Sequence, residues 1–358
     1  MFVAWRDLRS AKGRFALMGT VIVLITLLVG LLSGLTAGLA RENVSAITGL
    51  PADRIAFAAP PAGRSVSFTD STVTEEQWNA WAERPGVTGA APLGIRTLNA
   101  AAGERTAAVS AFGTEPGDGL APGAVAPGRA VLSESAAEEL GAGAGDAVRL
   151  GPLEVTVAAV AGDASYSHTP VVWTSLDDWQ RLGHGGTATG EQATVIALRG
   201  AGADWAAGDA AAGTEARTVD AALTALGSYQ AENGSLQLMR GFLFVISALV
   251  IGAFFTVWTV QRSGDVAVLK ALGASTPYLL RDALGQAVLM LVAGTLLGTG
   301  LALGIGALVS GGDVPFVLSP LTLLGPAAVI IALGAVGSAL SIRRITAVDP
   351  LTALGSVR

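Results

Sequence analysis

The chain has 358 residues, of which 51% are hydrophobic and only 14% charged, well below the roughly 25% of charged residues usual in soluble domains. A net charge of -6 with no basic stripe argues against a nucleic-acid partner. The absence of cysteine excludes disulfides and thiolate metal sites, and two histidines, His168 and His184, are too few for a His-rich zinc site.

Arg6, Arg9, Lys12 and Arg14 precede the first apolar run, Phe15 to Ala40, 26 positions without a charge. A signal-peptide apolar core is roughly 7–15 residues, whereas about 20 helical residues cross a bilayer. The run therefore predicts a retained transmembrane helix, and residues 1–40 are taken as an amphipathic N-terminal helix followed by this span.

Residues 41–236 hold most of the charges, prolines and tryptophans. Thr74 followed by Glu75 to Glu83 predicts a helix with Trp78 and Trp81 on one side. Residues 129–140 read as a short strand running into a capped helix. Ala147 to Leu150 and Leu153 to Ala161 read as strands joined by a Gly151-Pro152 turn, with further strands at Val171 to Trp173 and Val195 to Leu198. Ala216 to Leu226 is expected to be helical. The mixture predicts an α+β domain inserted between the first and second membrane helices. Ser167 and His168, with Asp163 nearby, read as a solvated loop rather than part of a triad. No Gly-x-Ser-x-Gly elbow or His-Glu-x-x-His pair is present.

Three more uncharged runs follow in residues 237–358: Gly241 to Gln261, Ala283 to Gly312 and Val314 to Ile342. The last two are parted by Asp313, where Gly311, Gly312 and Pro315 complete a turn signal. The chain is thus expected to be an α-helical membrane protein with four transmembrane helices. Arg262, Lys270 and Arg281 lie between the second and third spans, and Arg343, Arg344 and Arg358 lie in the tail, while the turn at Asp313 has no Lys or Arg. Positive residues mark the cytoplasmic side. Both termini are therefore expected in the cytoplasm, with residues 41–236 outside the cytoplasmic membrane. Gly30, Gly34 and Gly38, and Gly294, Gly298, Gly300 and Gly304, form small-residue stripes. These suit either a dimer seam or packing within one subunit.

The segment between the second and third spans, residues 262–275, reads RSGDVAVLKALGAS. It resembles the loop after the second helix in MacB/FtsX-type permeases of ABC transporters, with Asp265 where that family usually has Glu and Val266 where it has Ile. The tail at residues 343–354, RRITAVDPLTAL, is similar to the family's Asp/Glu-Pro-x-x-Ala-Leu ending, and residues 5–9, WRDLR, to its amphipathic N-terminal helix. The order of one helix, a large outer domain and three helices is also the family's. The resemblance implies a transporter permease subunit rather than an enzyme. Two copies of the permease would pair in the membrane, and two copies of a separate ABC ATPase would bind and hydrolyse ATP. No Gly-x-x-x-x-Gly-Lys-Ser/Thr loop occurs in this chain.

In that family residues 262–275 would dock onto the ATPase. Val266, Leu269 and Leu272 recur on one helical face, Gly273 can end the helix in the left-handed conformation, and Asp265 and Lys270 complete the motif. Such a helix can lay its apolar face in a partner's groove; a helix lying on the lipid surface is the other reading.

In size and layout the chain resembles the haem-efflux permeases of Gram-positive bacteria, of the HrtB type. That resemblance implies haem as substrate and no permanently bound cofactor. Glu42 is the first candidate iron ligand, and no metal site apart from a haem iron is expected. Tyr229, Glu232 and Met239, leading into the second span, are further candidates, and Arg41 and Arg240 would pair with propionates. Arg and Glu at a helix end also serve as interfacial anchors. Two other substrate classes fit the same family: extraction of lipid, lipoprotein or amphiphilic drug, and FtsX-like regulation of a cell-wall hydrolase. Intramembrane carboxylates that would mark an ion path are missing.

Overall fold

The computed structural model describes residues 12–183, 191–261, 264, 268, 270, 272–309 and 314–346. In chain order its elements are α1 (Lys12–Thr48), β1 (Arg54–Ala58), β2 (Val73–Thr74), α2 (Glu75–Ala82), β3 (Val87–Ala102), β4 (Arg105–Thr114) and β5 (Arg129–Leu132). There follow α3 (Glu134–Leu140), β6 (Ala147–Leu150), β7 (Leu153–Val160), β8 (Ser165–Tyr166), β9 (Thr169–Ser175), α4 (Leu176–Gly183), β10 (Gln192–Ala193) and β11 (Val195–Gly200). The last elements are α5 (Trp205–Ala212), β12 (Thr214–Thr218), α6 (Val219–Ala222), a 3-10 turn (Leu223–Ala225), α7 (Gly227–Gln261), α8 (Thr276–Val309) and α9 (Pro320–Thr346).

Helices α1, α7, α8 and α9 are long and apolar enough to cross a membrane. The chain divides into two compact units, residues 1–38 with 235–358, and residues 39–234.

In the first unit Met18, Ile22 and Val29 of α1 pack with Ile251, Phe255 and Trp258 of α7, Ala287 and Leu291 of α8 and Ile330 of α9. Glycine supplies the close approaches. A Cβ on Gly294 would meet Ile22, and one on Gly298 would meet Thr26. Gly34 and Gly306 leave room for the Phe316 ring, and Gly38 for the backbone of Pro315. The Val317 amide donates to the Gly34 carbonyl at 3.1 Å. Most of the two stripes therefore packs within one subunit, while Gly300 and Gly304 face open space. Residues 314–319 precede α9 without helical structure, which corrects the expectation of one apolar span from Val314. Pro315 and Pro320 explain it, since the first lacks a helical donor and the second suits a helix start.

The second unit is built on a ten-stranded mixed sheet in the order β12-β1-β11-β3-β4-β9-β5-β7-β6, with β8 on β9. β3 is long enough to serve twice. Its first half pairs with β11 and its second with β4, and Ala100 and Ala101 also pair with β6. That last pairing closes β3, β4, β9, β5, β7 and β6 into a ring. The ring is filled by Val109, Leu132, Val148, Leu150, Val155, Val157 and Val172, with Ala136 and Leu140 of α3 against it.

Local signals explain the helices. Thr74 and Gln77 form a capping box on α2, and Trp78 and Trp81 are its buried residues. Ser133 caps α3 by accepting from the Ala136 amide, and Gly141 ends it at φ 63°. The expected helix from Ala216 is a correction. Residues 214–218 form β12, paired antiparallel with β1, and helix begins only at Val219 after its cap Thr218. The sheet partner claims Ala216, Arg217 and Thr218, and the Ala-rich residues after them are helical as expected.

Candidate functional site

Within residues 39–234, three segments carry polar side chains toward one another. They are the end of α1, the turn between β8 and β9, and the start of α7. β8 and β9 pair Tyr166 with Thr169, leaving Ser167 and His168 as a two-residue hairpin turn. Both have positive φ, 51° and 63°, as a type I′ turn requires. Asn-Gly is the favoured sequence there, and a residue with a Cβ costs roughly 1–2 kcal/mol more in this region. The surroundings hold the turn in place. The Ser167 amide donates to the Asn43 carbonyl at 2.9 Å, and the His168 amide to the Glu42 carbonyl at 3.3 Å.

The side chains complete a network. His168 Nε2 stands 2.9 Å from Glu232 Oε2 and 3.0 Å from Oε1, and His168 Nδ1 is 3.6 Å from Glu42 Oε2. Asn43, fully buried at 0% exposure, is the hub. Its Nδ2 donates to Glu232 Oε2 at 3.1 Å and lies 3.2 Å from His168 Nε2. Its Oδ1 accepts from the Ser228 hydroxyl at 2.9 Å. Ser228 and Ser167 hydroxyls are 3.0 Å apart. His168, Glu42 and Glu232 remain partly exposed, with side chains at 31%, 44% and 42%.

Of the candidate substrate contacts, Glu42 lies in this network and Arg41 is exposed beside it on α1. Helix α1 runs on to Thr48, so neither residue closes it. Tyr229 packs half-buried against the core of the outer unit. Tyr166, next to the turn, is buried edge-on to Phe68 and Phe112. Burial pushes its phenol well above the usual tyrosine range, which keeps it neutral. Met239 and Arg240 are exposed on α7 in the other unit. The triad alternative is absent: Asp163 Oδ1 accepts from the Ser135 hydroxyl at 2.5 Å, while Ser167 pairs with Ser228.

Sequence reasoning missed Asn43, His168 and Ser228 as members of one site. The sole local signal was a Ser-His pair between two strand residues, in a place where a hairpin demands positive φ.

Among the described residues no group of three or more His, Cys, Asp or Glu is spaced to hold a bare metal ion. Carboxylate oxygen and imidazole nitrogen are nevertheless donors that suit ferric iron already held by a porphyrin, which needs only one or two axial ligands.

For the docking motif, Asp265, Val266 and Leu269 lie outside the described residues. Gly273 has φ 95°, its amide donates to the Lys270 carbonyl at 3.1 Å, and the Leu272 amide donates to the Val268 carbonyl at 3.0 Å. The Leu272 side chain is 79% exposed.

Comparison with known proteins gives two family matches: the MacB-like periplasmic core domain over residues 15–226 and the FtsX-like permease C-terminal region over residues 238–350. A putative hemin transport system permease protein HrtB of Staphylococcus haemolyticus is 37% identical over 132 residues, 37% of this chain and 37% of that one. A second, from Staphylococcus epidermidis, is 28% identical over 143 residues, 40% of this chain and 41% of that one. The chain thus matches less than half the length of these relatives. An ABC transporter permease of Mycobacterium bovis is 24% identical over 372 residues, 99% of each chain.

Proposed function

Because the chain belongs to the MacB/FtsX-type permeases of ABC transporters, we propose that it is the permease subunit of a complex that extracts haem from the outer leaflet of the cytoplasmic membrane. Two copies pair, and two copies of a separate ABC ATPase drive them from the cytoplasm. The Lys and Arg residues between the second and third spans and in the tail support a cytoplasmic position for that side and for both termini. Residues 39–234 then lie outside. The segment around Leu272 and Gly273, with an exposed leucine next to a glycine stop, is the docking element for the ATPase.

The observation that carries the haem reading is the Glu42–His168–Glu232 cluster at the outer end of the first apolar span. Haem is an amphipathic plate that rests in lipid with its propionates toward water. Glu42 offers a carboxylate to its iron, with His168 beside it, and Arg41 offers a cation to a propionate. The HrtB relatives, described as putative hemin transport permeases, support the same substrate. Catalytic side chains are not required of this subunit. It would bind and release substrate as its helices move.

Growth on hemin tests the proposal. A strain lacking the gene should become sensitive to hemin at concentrations the parent tolerates, and the intact gene should restore growth while the Glu42→Ala form should not. Unchanged hemin tolerance, with defects confined to lipoprotein sorting or cell-wall turnover, would transfer the permease to one of those substrates.

A further inference from the structure

We infer that the Ser167–His168 hairpin tip is a latch. Seated, it ties the end of α1 to the start of α7, and it must lift once in each transport cycle. The inference deepens the proposed function and rests on it for the driving motion.

Three observations carry it. First, the tip is held in an unfavourable conformation. Two consecutive residues with side chains stand at φ 51° and 63°, where glycine or asparagine would relieve the cost. The conformation persists because the tip's two amides reach the Asn43 and Glu42 carbonyls and its side chains reach Ser228 and Glu232. A segment held against its own preference by outside contacts relaxes when they part. Second, those contacts bridge the two places where the chain enters and leaves the outer unit, near residues 39 and 234. Any displacement carried along α1 or α7 reaches this network. Hydrogen bonds of 2.9–3.3 Å fail after roughly 1 Å of separation, so the network has a seated and an unseated state with little between. Third, the seated state occupies the groups proposed to meet substrate, with His168 Nδ1 facing Glu42 and Nε2 facing Glu232. Lifting the tip would release both groups from these contacts and widen a haem iron's access to them.

The absence of cysteine makes a direct test available. Ser167→Cys combined with Ser228→Cys places two thiols where hydroxyls now stand 3.0 Å apart, near enough to oxidise to a disulfide after a small shift. The full-length double variant is purified with its ATPase, and ATP turnover is measured without hemin in the reduced and oxidised forms. The reduced double variant sets the reference rate for the oxidised form. Oxidised protein should be slowed about tenfold or more, and reductant should restore it. Either single variant should be indifferent to oxidant. Failure of the pair to crosslink would mean the tip is not seated on α7, and an oxidised form within about twofold of the reduced rate would mean it need not lift. Either result overturns the latch. Hemin titration of the reduced form separates the two ideas: if it binds no hemin, the substrate assignment fails while the ATP result still judges the latch.

Discussion

His168 Nε2 lies 2.9 Å from Glu232 Oε2, so one imidazole on a hairpin tip joins the first turns of α7 to the end of α1. The pair is partly exposed and its direct worth is modest, about 1 kcal/mol with its hydrogen bonds. His168→Ala should lower stability by about that amount. His168→Gly loses the same ring but relieves the positive φ, and should be about 1 kcal/mol more stable than the alanine form. Urea unfolding of the two variants in detergent checks the order. An alanine form equal to or more stable than the glycine form would mean that the turn is not strained.

Gly38 faces the backbone of Pro315, where no side chain can yield, whereas Gly304 faces open space. Gly38→Ala should cost about 1–3 kcal/mol through overpacking, and Gly304→Ala should stay within about 0.5 kcal/mol. Thermal unfolding in detergent distinguishes them. A collapse of assembly in Gly304→Ala alone would place a second copy of the chain on that face of α8.

Asp209 accepts from the Ala216 amide at 2.8 Å and the Thr214 hydroxyl at 2.9 Å. Burial nonetheless raises its carboxyl above the ordinary aspartate value, with Glu215 adding to the rise and these hydrogen bonds and Arg54 opposing it. A carboxyl raised by folding adds stability while it is protonated, below the unfolded value, and that contribution is lost as pH rises through the folded value. Asp209→Asn keeps the acceptor oxygen and cannot ionise. Its stability relative to wild type should therefore improve between about pH 3.5 and pH 7. Fluorescence of Trp78, Trp81 and Trp205, around the same helices, reports the unfolding. A difference that is flat or falls with pH would contradict the assignment.

Leu272 is 79% exposed, so Leu272→Asp should fold like wild type, within about 0.5 kcal/mol. If the side chain is buried on the ATPase, its loss removes about 1.5–3 kcal/mol, or roughly 10–100-fold in affinity. Co-purification of the ATPase with the permease should fall accordingly. Normal association and turnover in this variant would remove the segment as the coupling element.

Much of the architecture was legible because the signals were strong and local. Long uncharged runs, the Thr74 and Ser133 caps and the Gly151-Pro152 turn each specify structure within a few residues. The longest strands escaped notice. Val87–Ala102 is rich in Ala, Gly and Thr and does not alternate cleanly, because it is paired on both sides and covered by different elements along its length. The expected helix from Ala216 began three residues early, because Ala216, Arg217 and Thr218 are drawn into pairing with β1 before the Ala-rich stretch from Val219 turns helical. Of the site, Glu42 was readable from its place at the end of an apolar run. Asn43, His168 and Ser228 were not, because residues 125 and 185 positions apart meet only through the fold.

Hemin titration of the purified wild-type protein, followed at the Soret band, bears most directly on what this permease carries. A saturable band is expected, and Glu42→Ala should alter its position and weaken binding about tenfold, ~1.4 kcal/mol, while the ATPase still co-purifies. Wild-type protein with no saturable hemin absorbance would contradict haem as the substrate.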